Sequence, residues 1–386
     1  MKVITTENRP IKMWLENIEE WALDQAKNLA NLPFVYKHIA IMPDSHQGYW
    51  MPIWGVMATK WVVIPNAVWV DIWCGMCAIK TSLTWIETKA LKEIMSQIRK
   101  VIPVWFNKHE EAQDWMFMPH SKISNNSIVM DNIENARRSL WTLWGWNHFI
   151  EIQQWDDWHI WIMIHSWSRN LWLQVAKHYN DLAKKLNEEW FSSVPKSHDL
   201  AFLPLDSKEG KAYLEEMEYC VDFALANRKL MMGRIKEVFS DNFSNIEFYW
   251  EMINIAHNYA RLENHWENVM VHRKWATSAR VWEVWIIPWS QWTNSYIVEW
   301  LWNKESFESC SHGAWRVLWR KKAQATLNLE EEIKKLDDMW VIHWMRGKND
   351  LDESVSCYKD IDEVMENQKD LVHILKKLTP LWVIKW

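Results

Sequence analysis

Residues 67–81 place a carboxylate and a thiol three positions apart, Asp71 and Cys74, where a short apolar segment turns. A tight turn can direct both side chains at one point, and a carboxylate with a thiolate can hold a divalent transition metal. Cys74-Gly-Met-Cys77 leaves open half of a zinc site or a redox pair, but the chain has no second CxxC.

Three histidines, His148, His165 and His257, lie in short turns or strand ends rather than on an amphipathic face. With Asp71 and Cys74 they form a mixed nitrogen, oxygen and sulfur set that suits Mn²⁺, Fe²⁺, Co²⁺ or Zn²⁺. Each histidine taken alone is more often structural, and the three are too far apart for spacing alone to assemble them.

Tryptophan and glycine occur in unusual numbers, 34 Trp and only 8 Gly, whereas ordinary usage would give about 27 Gly. Trp occupies turn contexts such as Pro288-Trp-Ser and His165-Ser-Trp-Ser-Arg169, where glycine normally supplies a positive φ. We therefore expect that most of these tryptophans are glycine encoded by UGA, a codon that some bacterial lineages read as glycine. The alternative is a genuinely Trp-rich binding protein, with TGG at these positions in the gene.

Read with glycine, several of these turns become glycine-rich loops with bare backbone N–H groups, which are typical phosphate cradles. Six basic residues lie near them in sequence and could bind anionic oxygens: His272, Arg273, Lys274, Arg280, Arg316 and Arg320. Their clustering beside the turns predicts a phosphate site.

With glycine at these positions, five or six motifs between about Pro43 and Lys385 resemble, in order, those of the RtcB family of GTP-dependent RNA ligases. The resemblance implies an enzyme that joins RNA 3′-phosphate or 2′,3′-cyclic phosphate ends to 5′-hydroxyl ends through a histidine–GMP intermediate, in tRNA splicing or RNA repair. It implies two Mn²⁺ ions and GTP as cofactors and RNA as partner, and it leaves open an activating protein partner.

The same resemblance assigns roles to individual residues. His312, in Ser-His-Gly-Ala-Trp-Arg316, would be the nucleophile that receives GMP. The implied metal ligands, with the Cys74 thiolate bridging two ions, are Asp71, Cys74, His148, His165 and His257. The implied nucleotide contacts are Asn147, His148, Phe149, Ile150, Glu151, His257, Asn258, Pro288, Trp289, Ser290, Gln291, Ser295, His312, Gly313, Ala314, Trp315, Tyr358 and Lys385. Lys274, Arg280 and Arg316 are the expected RNA contacts.

The departures from the family pattern all concern glycine: Trp73, Trp146, Trp289 and Trp315 stand in the motifs. A Trp side chain carries about 150–250 Å² of surface, so it could not share that space with two metals and GTP. We expect a chain that truly contains these rings to be misfolded or inactive, with a plugged site. Two other functions remain open, a non-catalytic RNA-binding relative and a metal-dependent phosphoesterase.

The formal net charge of -6 excludes a global basic field. The sequence contains no run of about 18 apolar residues, so we expect no membrane span. The first ten residues lack the apolar core of a signal peptide. Five cysteines, an odd number, favour a reducing cytoplasm over a disulfide framework.

Helical and strand-like segments interleave without a βαβ rhythm, which favours an α+β fold. With the resemblance, we expect one RtcB-like ligase domain over residues 1–386, with mixed and antiparallel sheets surrounded by helices. The periodicity predicts helices over 87–100, 170–188, 211–240, 246–262 and 360–378, and a polar turn over 43–48.

Overall fold

In the computed structural model, the described residues are 1–68, 74–104, 107–143, 148–168, 170–279, 284–290, 292–313, 318, 320–338, 345 and 347–384. They form two large β-sheets, one mixed and one antiparallel, with helices on the outer faces. The α+β class predicted from the sequence is therefore confirmed.

The first sheet has six strands in the order β1-β2-β3-β4-β12-β11. The bounds are β1 Lys2–Ile4, β2 Ile11–Met13, β3 Val35–His46, β4 Ile53–Thr59, β11 Tyr259–Asn264 and β12 Asn268–Lys274. β2 and β3 run parallel and the other neighbours antiparallel.

The second sheet has seven strands, all antiparallel, in the order β10-β6-β8-β7-β17-β15-β14. The bounds are β6 Gly75–Thr81, β7 Phe149–Trp155, β8 Ile160–Ser166, β10 Phe248–Ala256, β14 Val284–Ile287, β15 Ser295–Trp300 and β17 Val372–Ile384. Two small pairs complete the described strands: β5 (Val62–Val63) with β9 (Leu203–Pro204), and β13 (Ala276–Ser278) with β16 (Ser309–Ser311).

The helices are α1 Glu20–Ala30, α2 Thr88–Val101, α3 Ile128–Asp131, α4 Ile133–Arg137, α5 Asn170–Glu189, α6 Lys208–Asn242, α7 Arg320–Thr326, α8 Leu329–Asp338 and α9 Ile361–Asn367. α1 packs on the first sheet, whereas α2, α5 and α6 pack on the second. Across the described ranges, none of them is both long and apolar enough to span a membrane. All five cysteines are buried, and none of them forms a disulfide bond.

Alternation along the strands builds this layered core. On β8, Ile160, Ile162 and Ile164 face the helices, while Trp161 and Met163 face the first sheet. Successive strand side chains point to opposite faces, so an apolar run buried on both sides forms the centre of a stacked pair of sheets. The layer between the two sheets therefore receives every second residue of each central strand.

The helix predicted over 246–262 is wrong, because the segment forms β10 and β11. β10 pairs with β6 through Ile253↔Ala78 and Ala256↔Gly75. Its aromatic and β-branched residues suit a pleated surface. The pairing with β6 therefore decides in favour of a strand over the helix that the periodicity predicted.

Two further predictions are corrected near the chain's ends. The helix predicted over 360–378 ends at Asn367, and β17 follows and inserts between β7 and β15. The polar turn predicted over 43–48 is wrong at its start, because β3 continues to His46 and buries that side chain. Polar residues on a buried strand end resemble a turn in sequence.

Tryptophan dominates the left-handed backbone positions. Sixteen non-glycine residues in the described ranges have positive φ, and half of them are Trp, although Trp is only 34 of 386 residues. These eight are Trp50, Trp54, Trp61, Trp141, Trp158, Trp266, Trp275 and Trp302. A β-carbon makes this conformation costly and glycine adopts it freely, which supports glycine as the natural residue at these positions.

The exposed Trp158, in the turn between β7 and β8, offers a test of this backbone cost. Its φ is 71° and its side chain is 70% exposed, so Trp158→Gly should raise the free energy of unfolding by about 0.5–1 kcal/mol. Trp21 is 68% exposed within α1, and Trp21→Gly should instead lower it by about 1 kcal/mol. Chemical denaturation measures both; a destabilised Trp158→Gly chain would contradict the proposed strain.

Candidate functional site: a cysteine–histidine cluster between the sheets

Strand alternation carries the predicted site residues into the layer between the sheets. Met76 of β6, Met163 of β8 and Ile255 of β10 face that layer. Cys74, His165 and His257 lie two positions from these residues and share their side of the sheet. In the register of the sheet, His165 is flanked by Met76 and Phe149. Three segments that are distant in sequence thus bring Cys74, His165 and His257 together in the layer between the sheets.

The side chains of this group are close enough to share a metal ion. One donor atom each from Cys74, His165 and His257 lies within 4.8 Å of the others. The Sγ of Cys74 is 2.9 Å from the Nε2 of His148. Neither ring nitrogen of His257 has a hydrogen-bond partner in the described part of the chain. Buried, unsatisfied nitrogens beside a thiol fit a transition metal.

His312, the residue predicted to receive GMP, stacks on His257 with the ring centroids 3.6 Å apart. Burial, reinforced by the charges that His312, His165 and Arg228 can carry, lowers the pKa of His257 well below its ordinary value. Burial, with a contribution from Arg228, lowers the pKa of His312 to about 3. Both imidazoles are therefore neutral at neutral pH and keep a lone pair for a metal or an electrophile.

The predicted nucleotide contacts form a second group joined to the first. On β7, Phe149 packs edge-on against His165, with ring centroids 5.4 Å apart. Glu151 lies one step further along the same face. Both Glu151 and Ser295 accept hydrogen bonds from Gln153. The Ile150 side chain instead packs in the core on the helix side.

Other predicted contacts lie in loops around this face. Gly313 approaches Pro288, since a β-carbon built on Gly313 would lie 3.4 Å from the carbonyl oxygen of Pro288. The Trp289 indole N–H donates to the carbonyl of Lys359, at 2.9 Å. Further hydrogen bonds in these loops are Ser290 Oγ with Thr293 Oγ1 at 2.8 Å, Tyr358 Oη to Glu353 Oε2 at 2.8 Å, and the Trp275 N–H to Asn258 Oδ1.

Some predicted residues lie outside the described ranges. They are the metal ligand Asp71, the nucleotide contacts Asn147, Gln291, Ala314, Trp315 and Lys385, the basic residues Arg280 and Arg316, and the substituted positions Trp73 and Trp146.

Indole rings occupy the space around the cluster. The ring of Trp275 stacks on His257 at 5.8 Å, and that of Trp167 stacks on His148 at 5.6 Å. Trp54 is fully buried and packs edge-on against Trp275. Trp54 and Trp275 both have left-handed backbones, so glycine at these two positions would relieve strain and open the site.

The predicted anion-binding role is wrong for the residues of β12. Arg273 is fully buried and pairs with Glu263, with Nη1 2.6 Å from Oε1. Lys274 is also buried and donates to the carbonyls of Tyr49 and Met51. Because its ammonium group is buried and bonded to these carbonyls, Lys274 does not line a surface for RNA. The same burial lowers its pKa well below the ordinary value.

His272 and Arg320 likewise have structural partners. The Nε2 of His272 accepts from the backbone N–H of Ile64, at 3.0 Å, and Arg320 pairs with Asp352 and Glu353. The sequence pattern shows which residues are basic, but it does not show which carboxylate or backbone group each of them contacts.

Arg228 on α6 is a residue that the sequence analysis missed. Its side chain is fully buried and donates to Asn254 Oδ1 at 2.7 Å and to the Ser166 carbonyl at 3.1 Å. A β-carbon on Gly75 would lie 2.5 Å from its guanidinium carbon. Burial lowers the pKa of Arg228 to about 10, and the nearby thiols Cys77 and Cys74 act in the opposite direction. A single arginine in a long charged helix gives no such signal in sequence.

Comparison with known proteins identifies the class. A family model described as tRNA-splicing ligase RtcB matches residues 25–386. The RNA-splicing ligase RtcB of Escherichia coli K12 is 34% identical, with 100% of this chain and 99% of that protein aligned. The tRNA-splicing ligase RtcB of Nanoarchaeum equitans is 30% identical over 95% of this chain and 92% of its own length.

The tRNA-splicing ligase RtcB of Thermococcus kodakarensis is 28% identical, covering 95% and 91% of the two chains. These matches extend over nearly the whole chain, so they include every segment that contributes to the cluster. The chain belongs to the RtcB family of RNA-splicing ligases.

Metal binding by the cluster can be measured with Co²⁺. A cobalt ion held by the Cys74 thiolate should produce a thiolate-to-metal charge-transfer band in the near ultraviolet, since the thiolate is the ligand form. Cys74→Ser should abolish the band. Cys77→Ala, which removes a buried thiol three residues away, should retain it. A band that survives Cys74→Ser would exclude this thiol as a ligand.

The neutral state of His272 predicts a pH dependence of stability. Burial lowers the pKa of His272 to about 4 from 6.5, so between these values the unfolded chain binds the extra proton. The free energy of unfolding should therefore fall as the pH falls through this window, by at most about 1.4 kcal/mol per pH unit from this group. His272→Gln should flatten the slope in denaturation series, with the exposed His120→Gln as the matched histidine substitution.

Proposed function

We propose that this chain joins RNA 3′-phosphate or 2′,3′-cyclic phosphate ends to 5′-hydroxyl ends through a histidine–GMP intermediate, in tRNA splicing or RNA repair. The observation that carries the proposal is the stacking of His312 on His257, which itself belongs to the Cys74–His165–His257 cluster. A neutral nucleophile beside a metal-binding cluster is what nucleotidyl transfer to an imidazole needs.

In the first step His312 would attack the α-phosphorus of GTP. A phosphorus–nitrogen bond forms while the bond to the bridging oxygen of the β-phosphate breaks, and pyrophosphate leaves with that electron pair. The low pKa of His312 supports this role because the imidazole needs no prior deprotonation. Its Nδ1 has no hydrogen-bond partner among the described residues.

The proposed metal ligands are Asp71, Cys74, His148, His165 and His257. Their thiol, carboxylate and imidazole donors suit several divalent ions, and the preference for two Mn²⁺ comes from the family resemblance. Bound ions would supply positive charge against the triphosphate and orient it for in-line displacement. Cys74 and His257 also fix each other's position, since the His257 N–H donates to the Cys74 carbonyl at 2.9 Å.

GMP would then pass to the RNA 3′-phosphate, and the 5′-hydroxyl would displace it. A cyclic phosphate end must first be opened by water. The nucleotide contacts proposed are those named from the sequence, among them Glu151, Ser295 and Tyr358. One ligase domain over residues 1–386 also remains a prediction.

We further propose that the active form carries glycine at the positions where indole rings fill the site. Among the described residues these positions are Trp54, Trp167, Trp275 and Trp289. The proposal extends to the motif positions Trp73, Trp146 and Trp315, on the sequence alone. In the gene, TGA codons at these positions would support the proposal and TGG codons would contradict it.

Transfer of label from GTP provides the test. The glycine-bearing chain, incubated with Mn²⁺ and GTP labelled at the α-phosphorus, should become labelled, and His312→Ala should abolish the label because the acceptor nitrogen is gone. His120→Ala, at an exposed histidine, should retain it. The chain with tryptophan at these positions should label weakly or not at all.

The alternative functions give different outcomes in the same experiment. Metal-dependent phosphate release without protein label would favour a phosphoesterase. RNA binding with neither label nor hydrolysis would favour a non-catalytic relative. Label that persists in His312→Ala would contradict the assigned nucleophile.

A further inference from the structure

Gln153 on β7 connects two residues that lie on different strands of the second sheet. Its Nε2 donates to Glu151 Oε2 at 2.8 Å and to Ser295 Oγ at 3.0 Å. We propose that Gln153 is a positioning residue that holds Glu151 and Ser295 in the orientation that binds the guanine base. This inference rests on the proposed function, because it takes these two residues as nucleotide contacts.

The contact spans the width of a strand. β17 lies between β7 and β15, and Gln153 pairs with Pro380 of β17 while Ser295 pairs with Leu378. Gln153 has no exposed surface, and Glu151 and Ser295 are nearly as buried. A side chain fixed in this way keeps the two contacts at one distance from each other.

Hydrogen-bond chemistry determines how the amide is oriented. A carboxylate accepts hydrogen bonds and cannot donate, so the amide nitrogen of Gln153 must face Glu151. The same nitrogen donates to Ser295, whose hydroxyl proton is then available to another acceptor. The Oε1 of Gln153 contacts no donor in the part of the chain that the structure describes. In the described part of the chain, the hydrogen bonds of this amide are therefore made to Glu151 and Ser295, the two residues proposed to contact the guanine base.

The resulting pair presents one acceptor, the Glu151 carboxylate, and one donor, the Ser295 hydroxyl. Guanine offers the complementary set, with N–H groups at N1 and the 2-amino group and an acceptor at O6, whereas adenine carries a donor at its N6. Releasing the carboxylate from Gln153 should weaken recognition of the 2-amino group in particular.

The test compares Gln153→Met with Gln154→Met in the full-length chain, in whichever form takes label from GTP. Met has nearly the shape of Gln but no amide. Gln154 donates instead to the carbonyls of Thr84 and Trp158, at 2.9 and 3.1 Å, and so controls for loss of an amide from the same strand. Equilibrium binding of GTP and of inosine triphosphate, which lacks the 2-amino group, is measured alongside thermal unfolding.

Gln153→Met should weaken GTP binding about tenfold, the loss expected for a hydrogen bond to a charged group. It should also reduce the preference for GTP over inosine triphosphate, while Gln154→Met changes neither. Unchanged GTP affinity in Gln153→Met overturns the inference. An equal loss for both nucleotides also overturns it, because that result indicates a general structural role.

A second variant keeps the test informative if Gln153→Met folds poorly. Gln153→Glu retains the shape but places two carboxyl groups together, which then share one proton as the pH is lowered. GTP binding by this variant should improve relative to the parent as the pH falls; a parallel pH profile overturns the inference. Absence of label in the parent chain would instead refute the proposed function itself.

Discussion

The hydrogen bond from the backbone N–H of His257 to the carbonyl of Cys74 is the constraint on which the site depends. It lies where β10 and β6 begin to pair, with Ala256 opposite Gly75. This pairing places a thiol and an imidazole from segments about half the chain apart on one side of the sheet. His165 comes from the neighbouring strand β8, where it lies opposite Met76, and His312 stacks on His257.

The same layer explains why large side chains would crowd the proposed site. Two stacked sheets are normally about 10 Å apart, and in the proposed enzyme the mouth of this layer would hold metal ions and GTP as well as side chains. Trp275 against His257 and Trp167 against His148 fill that space in this structure. Trp54 and Trp275 also have left-handed backbones, which glycine adopts more easily than tryptophan. The crowding and the backbone conformation therefore both favour glycine.

Motif reasoning named Cys74, His165 and His257, which the structure brings together, because these residues sit in recognisable motifs. Local patterns failed where pairing between distant segments decides the outcome. The sequence predicted a helix where β10 forms, because the pairing of β10 with β6 is not visible locally. It also predicted that Arg273 binds anions, whereas Arg273 forms a buried ion pair with Glu263. The sequence did not single out Gln153 or Arg228, because their roles depend on hydrogen bonds to residues far away in sequence.

The central place of β17 has a consequence for biosynthesis. This strand is formed by residues 372–384, yet it lies between β7 and β15 and supplies the backbone pairing for both. During translation, β7 and β15 emerge from the ribosome long before the strand that must separate them. Glu151 of β7 and Ser295 of β15, two of the proposed nucleotide contacts, are therefore brought together late. A nascent chain lacking this strand would present two open sheet edges to chaperones.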